Sequence, residues 1–260
     1  MRKNLMQEFN IAIARSVNYK KDLINIGNDK FYYSSQYNQR ISDYLKSLGV
    51  ESKEVDKGSL GSASSSARLC TNYFYDDEVC FEKKIYNDVS YTPTRMDAVS
   101  DLTFYECKCQ EIVYGERELL PMSYLLNASS TLFHEFDIKN IKRKDGSGNY
   151  CDFSLRDLGI DLDGQYYEIN FNVKQLLCHL IAIANSYSDD KLKTLKYIIF
   201  TPSKEIVNHS EALKDLYQRL DQQYQAIIKS RNIINFINKH NIKIEMEYVP
   251  VDIIQEHFSE

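Results

Sequence analysis

The chain has 260 residues, of which 43% are hydrophobic and 27% are charged, and its formal net charge is −5. This composition is typical of a soluble globular protein, and no apolar run approaches the ~20 residues of a membrane span, so no membrane partner is expected. Gln7 and Glu8 interrupt the apolar stretch near the start, which argues against a signal peptide, and we predict a cytoplasmic protein.

The first 66 residues divide into a polar segment and a short linker. Residues 1–57 contain amphipathic patches such as YNQRISDYLKSL, which predict a helical N-terminal extension. The stretch GSLGSASSS at 58–66 is rich in glycine and serine, and serine is favoured at helix N-caps. We therefore expect a second unit over 58–260, with its first helix over SARLCTNYF.

Three short apolar segments follow, each bounded by turn residues. The segments EVCFEKKI (78–85), TRMDAV (94–99) and TFYECKCQEI (103–112) have the length and composition of strands. Because only a few residues around Ser100 and Asp101 separate the last two, we predict that they pair as a hairpin.

The rest of the chain alternates helix and strand patterns after a polar, loop-rich insertion at about 114–170. The patterns predict a helix over 173–185, a strand over 195–202, helices over 210–240, a strand over 242–251 and a closing helix over DIIQEHF. Strands interleaved with helices around a three-strand meander are typical of an α/β fold. We expect a mixed β-sheet core flanked by helices, with helical additions at both ends.

Two features of the sequence bear on metal or nucleic-acid binding, the cysteines and one basic run. The six cysteines lack the spacing of a zinc site, and Cys107 and Cys109 are better explained as small side chains of the core. Lys142, Arg143 and Lys144 lie beside a glycine-rich turn. A solvated loop explains this run more simply. If the protein binds a polyanion, however, these three residues are the expected DNA contacts.

The predicted hairpin carries charges where buried strands normally carry apolar residues. Alternate residues of a strand face the same side, so Glu106, Lys108 and Gln110 share one face with Phe104. Asp97 lies on the preceding strand, where pairing across the hairpin would bring it beside Glu106. An amphipathic strand with one solvated face would also explain the pattern.

Two carboxylates and a lysine on one hairpin suit the hydrolysis of phosphodiesters. Mg²⁺ is typically held by one or two carboxylates together with waters and substrate phosphate, and it lowers the pKa of a bound water. A lysine close by can position that water or neutralise developing charge. Asp97, Glu106 and Lys108 therefore form a functional set.

The same residues resemble the signature of the PD-(D/E)xK nuclease superfamily. The segments SSSARLCTNYF, CFEKK, PTRMDAV, FYECKCQE and KQLLCHL occur in the order of its bacterial restriction-endonuclease-like branch, over about residues 62–202. Met96 replaces the proline of the motif. The resemblance implies a restriction-endonuclease-like core in which Asp97 and Glu106 bind Mg²⁺, with Mn²⁺ able to substitute, and Lys108 assists the nucleophilic water.

Further positions fit this resemblance. Glu82 matches an upstream acidic residue that such nucleases often add to the site as a metal ligand, although it could also be a surface glutamate. Gln110 extends the motif as a supporting residue. Gln175 and His179, one helical turn apart, resemble the Gln-x-x-x-Tyr element of exonuclease-like members, with histidine replacing tyrosine.

The sequence thus predicts a Mg²⁺-dependent deoxyribonuclease that acts on DNA, an endonuclease of restriction or bacterial defence type. One alternative is a repair-type exonuclease, and another is a nucleic-acid-binding or protein-interaction module that kept the fold without the chemistry. Because cleavage of both strands of a duplex needs two active sites, the endonuclease interpretation also predicts a homodimer.

Overall fold

A computed structural model of the chain describes residues 2–21, 23–51, 59–86, 93–113, 119–121, 139–142, 149–152 and 170–259. Within them, the α-helices are α1 (Arg2–Ser16), α2 (Ser35–Ser47), α3 (Ser66–Tyr73), α4 (Val173–Ser186), α5 (Lys204–Asn208), α6 (Glu211–Ile228) and α7 (Arg231–Lys239). The strands are β1 (Ile24–Asn25), β2 (Phe31–Tyr32), β3 (Cys80–Ile85), β4 (Thr94–Ser100), β5 (Thr103–Lys108), β6 (Leu119–Pro121), β7 (Lys139–Lys142), β8 (Asn149–Asp152), β9 (Lys193–Thr201) and β10 (Ile242–Pro250).

Five strands form a central sheet in the order β10-β9-β5-β4-β3. β3, β4 and β5 make an antiparallel meander, and β5, β9 and β10 run parallel to one another. α3 packs on one face of this sheet, where Phe74, which caps it, lies against Tyr105. α4 packs on the other face, where Gln175 reaches Glu106. The expected α/β fold, with a mixed sheet flanked by helices, is confirmed.

The predicted hairpin is present, and its turn has a defined geometry. β4 and β5 are joined through Asp101 and Leu102, with Asp101 at φ 50°. Two-residue hairpin turns favour positive φ, and aspartate tolerates that conformation better than most residues. The hairpin fixes which residues of β4 and β5 face each other.

Two predicted elements end differently. β5 stops at Lys108, and the residues after it form a short 3-10 helix, Gln110–Val113, instead of continuing the strand to residue 112. The predicted closing helix is a 3-10 turn, Val251–Ile253, followed by an irregular tail. The polar groups of that tail bond to other elements, since the backbone oxygen of Phe258 accepts from Arg40 Nε at 2.6 Å.

The predicted N-terminal extension contains α1 and α2, and both pack into the same hydrophobic core as the sheet. Phe9 and Ile13 of α1 and Ile41 of α2 are fully buried in that cluster. A buried ion pair at 3.2 Å joins Arg68 of α3 to Glu256 of the tail. The ion pair therefore ties the tail to the helix that packs on the sheet.

The insertion predicted at about 114–170 lies mostly outside the described residues. Its described parts, β6, β7 and β8, form a small antiparallel sheet. Lys142 ends β7, whereas Arg143 and Lys144 fall outside the described residues. In the part of the chain that the structure describes, no helix is long and apolar enough to cross a membrane.

Candidate active site

Three carboxylates lie in line across the antiparallel meander. The β3–β4 pairs on either side, Phe81 with Ala98 and Lys83 with Met96, place Glu82 opposite Asp97. The β4–β5 register, continued one residue beyond its last pair, sets Glu106 opposite Asp97 as well. Residues directly opposite each other in an antiparallel pair project to the same face. Glu82, Asp97 and Glu106, here called the acidic row, therefore share the face of the sheet that α4 covers.

Asp97 lies where β4 and β5 stop pairing. In a continued ladder the amide of Cys107 would bond to the opposite backbone; instead it donates to Asp97 Oδ2 at 2.6 Å. Burial, and then the neighbouring Glu106, raise the pKa of Asp97 well above its ordinary value. A cation between the two carboxylates would relieve this repulsion.

Glu106 is buried, with only 2% of its side chain exposed. Its Oε1 lies 2.6 Å from Lys108 Nζ and accepts a hydrogen bond from Gln175 Nε2, also at 2.6 Å. Among the described residues nothing hydrogen-bonds to its Oε2, although His179 Nε2 lies 3.7 Å away. The solvated face that an ordinary amphipathic strand would have is therefore not present at Glu106, and one of its buried oxygens receives no hydrogen bond from the described residues.

Lys108 is a charged partner of the acidic row. Burial alone would favour its neutral amine, but Glu106, Asp97 and Glu111 together raise the pKa of Lys108 above its ordinary value. Lys108 therefore stays protonated at neutral pH. It can orient a water or stabilise negative charge, and it is unsuited to act as a general base.

Glu82 has an unusual backbone conformation for its residue type. Its φ is 51°, whereas the other described non-glycine residues with positive φ are all asparagine or aspartate. Such a conformation costs an ordinary residue about 1–2 kcal/mol. Backbone strain of this kind is concentrated at functional sites. The side chain of Glu82 lies 3.5 Å from Arg95 through its Oε2, so the third carboxylate is paired with a cation.

Both residues predicted from the helix pattern reach the site. Asn172 caps α4 by accepting a hydrogen bond from the Gln175 amide at 2.7 Å, and this fixes where the helix begins. The four-residue spacing then places Gln175 and His179 on one side of the helix, both against Glu106. Burial lowers the pKa of His179, so its ring is neutral beside the carboxylate.

Gln110 does not extend the face of Glu106, contrary to expectation, because β5 has already ended. Its Oε1 accepts a hydrogen bond from Ser64 Oγ at 3.0 Å. Glu111 accepts from Ser66 Oγ at 2.7 Å and from the Cys109 amide at 2.8 Å. Gln110 and Glu111 thus tie the start of α3 to the end of β5.

Sequence reasoning did not single out Arg95, the partner of Glu82. The available signal was its alternation with Asp97 along β4, which predicts that both side chains project to one face.

The expectation for Cys107 and Cys109 is confirmed, since both are buried among apolar residues.

Across the described ranges, no group of three or more His, Cys, Asp or Glu side chains forms a ready-made metal site. Mg²⁺, however, needs only one or two protein carboxylates, because waters and substrate phosphate complete its coordination. Asp97 and Glu106 supply such a pair, while Glu82 is engaged with Arg95.

Comparison of the chain with protein-family models, with curated proteins and with solved structures finds no match. A functional assignment therefore depends on the geometry and chemistry of the acidic row and of the residues that contact it.

Proposed function

We propose that the chain is a Mg²⁺-dependent deoxyribonuclease of the PD-(D/E)xK type, built on a restriction-endonuclease-like core and acting as an endonuclease of restriction or defence type. The observation that carries the proposal is the acidic row, whose inner member Glu106 is paired with Lys108. These are the carboxylates and the lysine that the sequence motif predicts, brought together by strand register.

Two features of the carboxylates support a bound cation. Glu106 Oε2 is buried and receives no hydrogen bond from the described residues, and the pKa of Asp97 is raised by burial and by Glu106. Asp97 and Glu106 would hold Mg²⁺ or, in its place, Mn²⁺, and Glu82 would join them on leaving Arg95. When bound, Mg²⁺ supplies Lewis-acid polarisation of the scissile phosphate and a water of lowered pKa.

The side chains around the acidic row have separate roles in this proposal. Lys108 remains protonated, so it orients the attacking water and stabilises the negative charge that develops on the phosphate. Gln175 fixes the orientation of Glu106 through its hydrogen bond to Oε1. His179, neutral and buried, covers the other side of Glu106 from solvent.

A repair-type exonuclease is the second candidate. It is favoured by the contacts of Gln175 and His179 with Glu106, because these residues form the helix element that resembles exonuclease-like members. A non-catalytic module on the same fold is disfavoured, since it would gain nothing from clustered carboxylates, where burial and then Glu106 raise the pKa of Asp97.

The test is incubation of the purified chain with long circular and linear duplex DNA of mixed sequence, with Mg²⁺, with Mn²⁺ or with EDTA. An endonuclease converts circles to nicked or linear products, whereas an exonuclease degrades linear DNA alone. Asp97→Asn should abolish either activity. Asp101→Asn, in the exposed turn of the same hairpin, should not. Failure of the wild-type chain to cleave either DNA with either metal would refute the proposal.

A further inference from the structure

A row of basic side chains runs beside the acidic row on the same face of the sheet. The β3–β4 register pairs Lys84 directly with Arg95. Arg95 precedes Asp97 by two residues, so these paired side chains project to the face of the acidic row. Lys108 follows Glu106 by two residues on β5, so its side chain projects to this face as well. Lys84, Arg95 and Lys108 are here called the basic row.

Two ion pairs connect the rows. Arg95 Nη1 lies 3.5 Å from Glu82 Oε2, and Lys108 Nζ lies 2.6 Å from Glu106 Oε1. The first is a diagonal contact between neighbouring strands, and the second joins residues two apart on one face of β5. The two rows therefore lie side by side, with each cation next to a carboxylate position.

The basic row leads from the buried centre of the site to the outside. The side chain of Lys108 is 15% exposed and that of Arg95 is 40% exposed, and Lys84 is exposed as well. β3, which carries Lys84, is the last strand on that side of the sheet. The outer two cations are thus accessible to a large polyanion.

The two outer cations of the row lie side by side. Lys84 and Arg95 are directly paired on neighbouring strands, which are about 4.8 Å apart. Two long cationic side chains placed in this way can contact the phosphates of one nucleic-acid strand. Arginine and lysine are the usual partners of such phosphates, and the guanidinium can bind two oxygens at once.

We propose that Lys84 and Arg95 bind the sugar-phosphate backbone of DNA and guide the strand to be cut past the acidic row. This inference rests on the proposed nuclease function and deepens it, because it names the residues that hold the substrate. Three carboxylates in line would repel a phosphate backbone, and the basic row offsets that repulsion. A role limited to balancing the charge of the acidic row within the fold is the competing explanation.

Binding and cleavage can be measured separately. Fluorescence anisotropy of a labelled DNA duplex, titrated with the chain in EDTA at a series of salt concentrations, reports affinity without turnover. The variants are Lys84→Gln, Arg95→Gln and the double variant. Lys83→Gln is the matched control, because Lys83 is an exposed neighbour on β3 that projects to the opposite face. Arg95→Lys keeps the charge.

Each lost phosphate contact should reduce the slope of log affinity against log salt by about 0.9, so the double variant should lose nearly twice that amount. Lys83→Gln and Arg95→Lys should keep the wild-type slope. Melting temperatures are recorded for every variant, because a role in charge balance alone predicts lower thermal stability with unchanged DNA binding.

A double variant with the wild-type slope and affinity would overturn the inference, and so would a wild-type chain that does not bind the duplex in EDTA. Mg²⁺-dependent cleavage that persists while the slope is unchanged would leave the nuclease function standing and remove only the role of Lys84 and Arg95. The reverse result, a reduced slope in variants of a chain that never cleaves DNA, would refute the proposed nuclease function and support DNA binding by Lys84 and Arg95.

Discussion

Asp97→Asn tests whether burial and electrostatic repulsion within the acidic row lower the free energy of unfolding. Burial and Glu106 raise the pKa of Asp97 above its ordinary value of 3.8, so the folded chain binds this proton more tightly than the unfolded chain does. The resulting stabilisation is complete below that ordinary value and is lost as the pH rises through the raised one. Above pH 3.8, Asp97 therefore lowers the free energy of unfolding progressively as the pH rises.

The magnitude follows from what the substitution keeps and removes. Asparagine retains an oxygen that can accept the hydrogen bond from the Cys107 amide, so the local geometry is preserved. It removes a carboxyl group whose ionisation is opposed by burial and by Glu106 and is only partly favoured by Lys108. A gain on the order of 1 kcal/mol would raise the melting temperature of a chain of this size by about 2–4 °C.

The assay is thermal unfolding of both proteins from acidic to neutral pH, in EDTA and in Mg²⁺. In EDTA the variant should melt higher at neutral pH, and the difference should vanish at acidic pH, where wild-type Asp97 is protonated in both states. A ligand at 100 times its Kd stabilises the folded state by about 2.7 kcal/mol, so saturating Mg²⁺ should protect the wild type and not the variant.

Asp101→Asn, in the exposed turn, is the control and should change neither property. An Asp97→Asn variant that melts below the wild type at neutral pH in EDTA, and that Mg²⁺ protects equally well, would refute this account of the site.

Three further predictions concern the neighbours of Asp97 and the assembly. Lys108→Gln keeps a donor for Glu106 but removes the charge, so cleavage should fall by about 10²–10⁴-fold while the fold persists; a folded variant that cleaves at the wild-type rate would exclude Lys108 from the chemistry. Glu82→Gly should raise the melting temperature, because glycine adopts a positive φ without strain, and it should lower Mg²⁺-dependent cleavage. Glu78→Gly, at an exposed position, is the control, and a lower melting temperature of Glu82→Gly would show that Glu82 is not strained. Light scattering should detect a homodimer, and a monomer at concentrations where both DNA strands are cut would contradict it.

The local sequence pattern was sufficient to predict much of the fold and part of the site. The alternation of β4 and β5, with a short turn between them, predicted the hairpin and the approach of Asp97 to Glu106, because a hairpin register depends on adjacent residues only. The resemblance of Gln175 and His179 to a helix element of exonuclease-like nucleases singled them out, although only the packing of α4 on the sheet brings them to Glu106.

The remaining features depend on contacts between distant segments. The register between β3 and β4 aligns Lys84 with Arg95, and no local sequence rule determines it across the connection between these strands. The end of β5 at Lys108 reflects the bonds of Gln110 and Glu111 to the serines that begin α3. The tail failed to form the predicted helix because Arg68 and Arg40 bind its polar groups in an irregular conformation.

The hydrogen bond from the Cys107 amide to Asp97 makes one backbone position sensitive to the state of the acidic row. A cation or a proton that takes up the Asp97 oxygen weakens this bond, while the neighbouring ladder between β5 and β9 remains intact. The deuterium exchange rate and the nitrogen-15 chemical shift of this single amide should therefore follow occupancy of the site at equilibrium. Metal titrations monitored at Cys107 would then rank cations by affinity before any substrate has been identified.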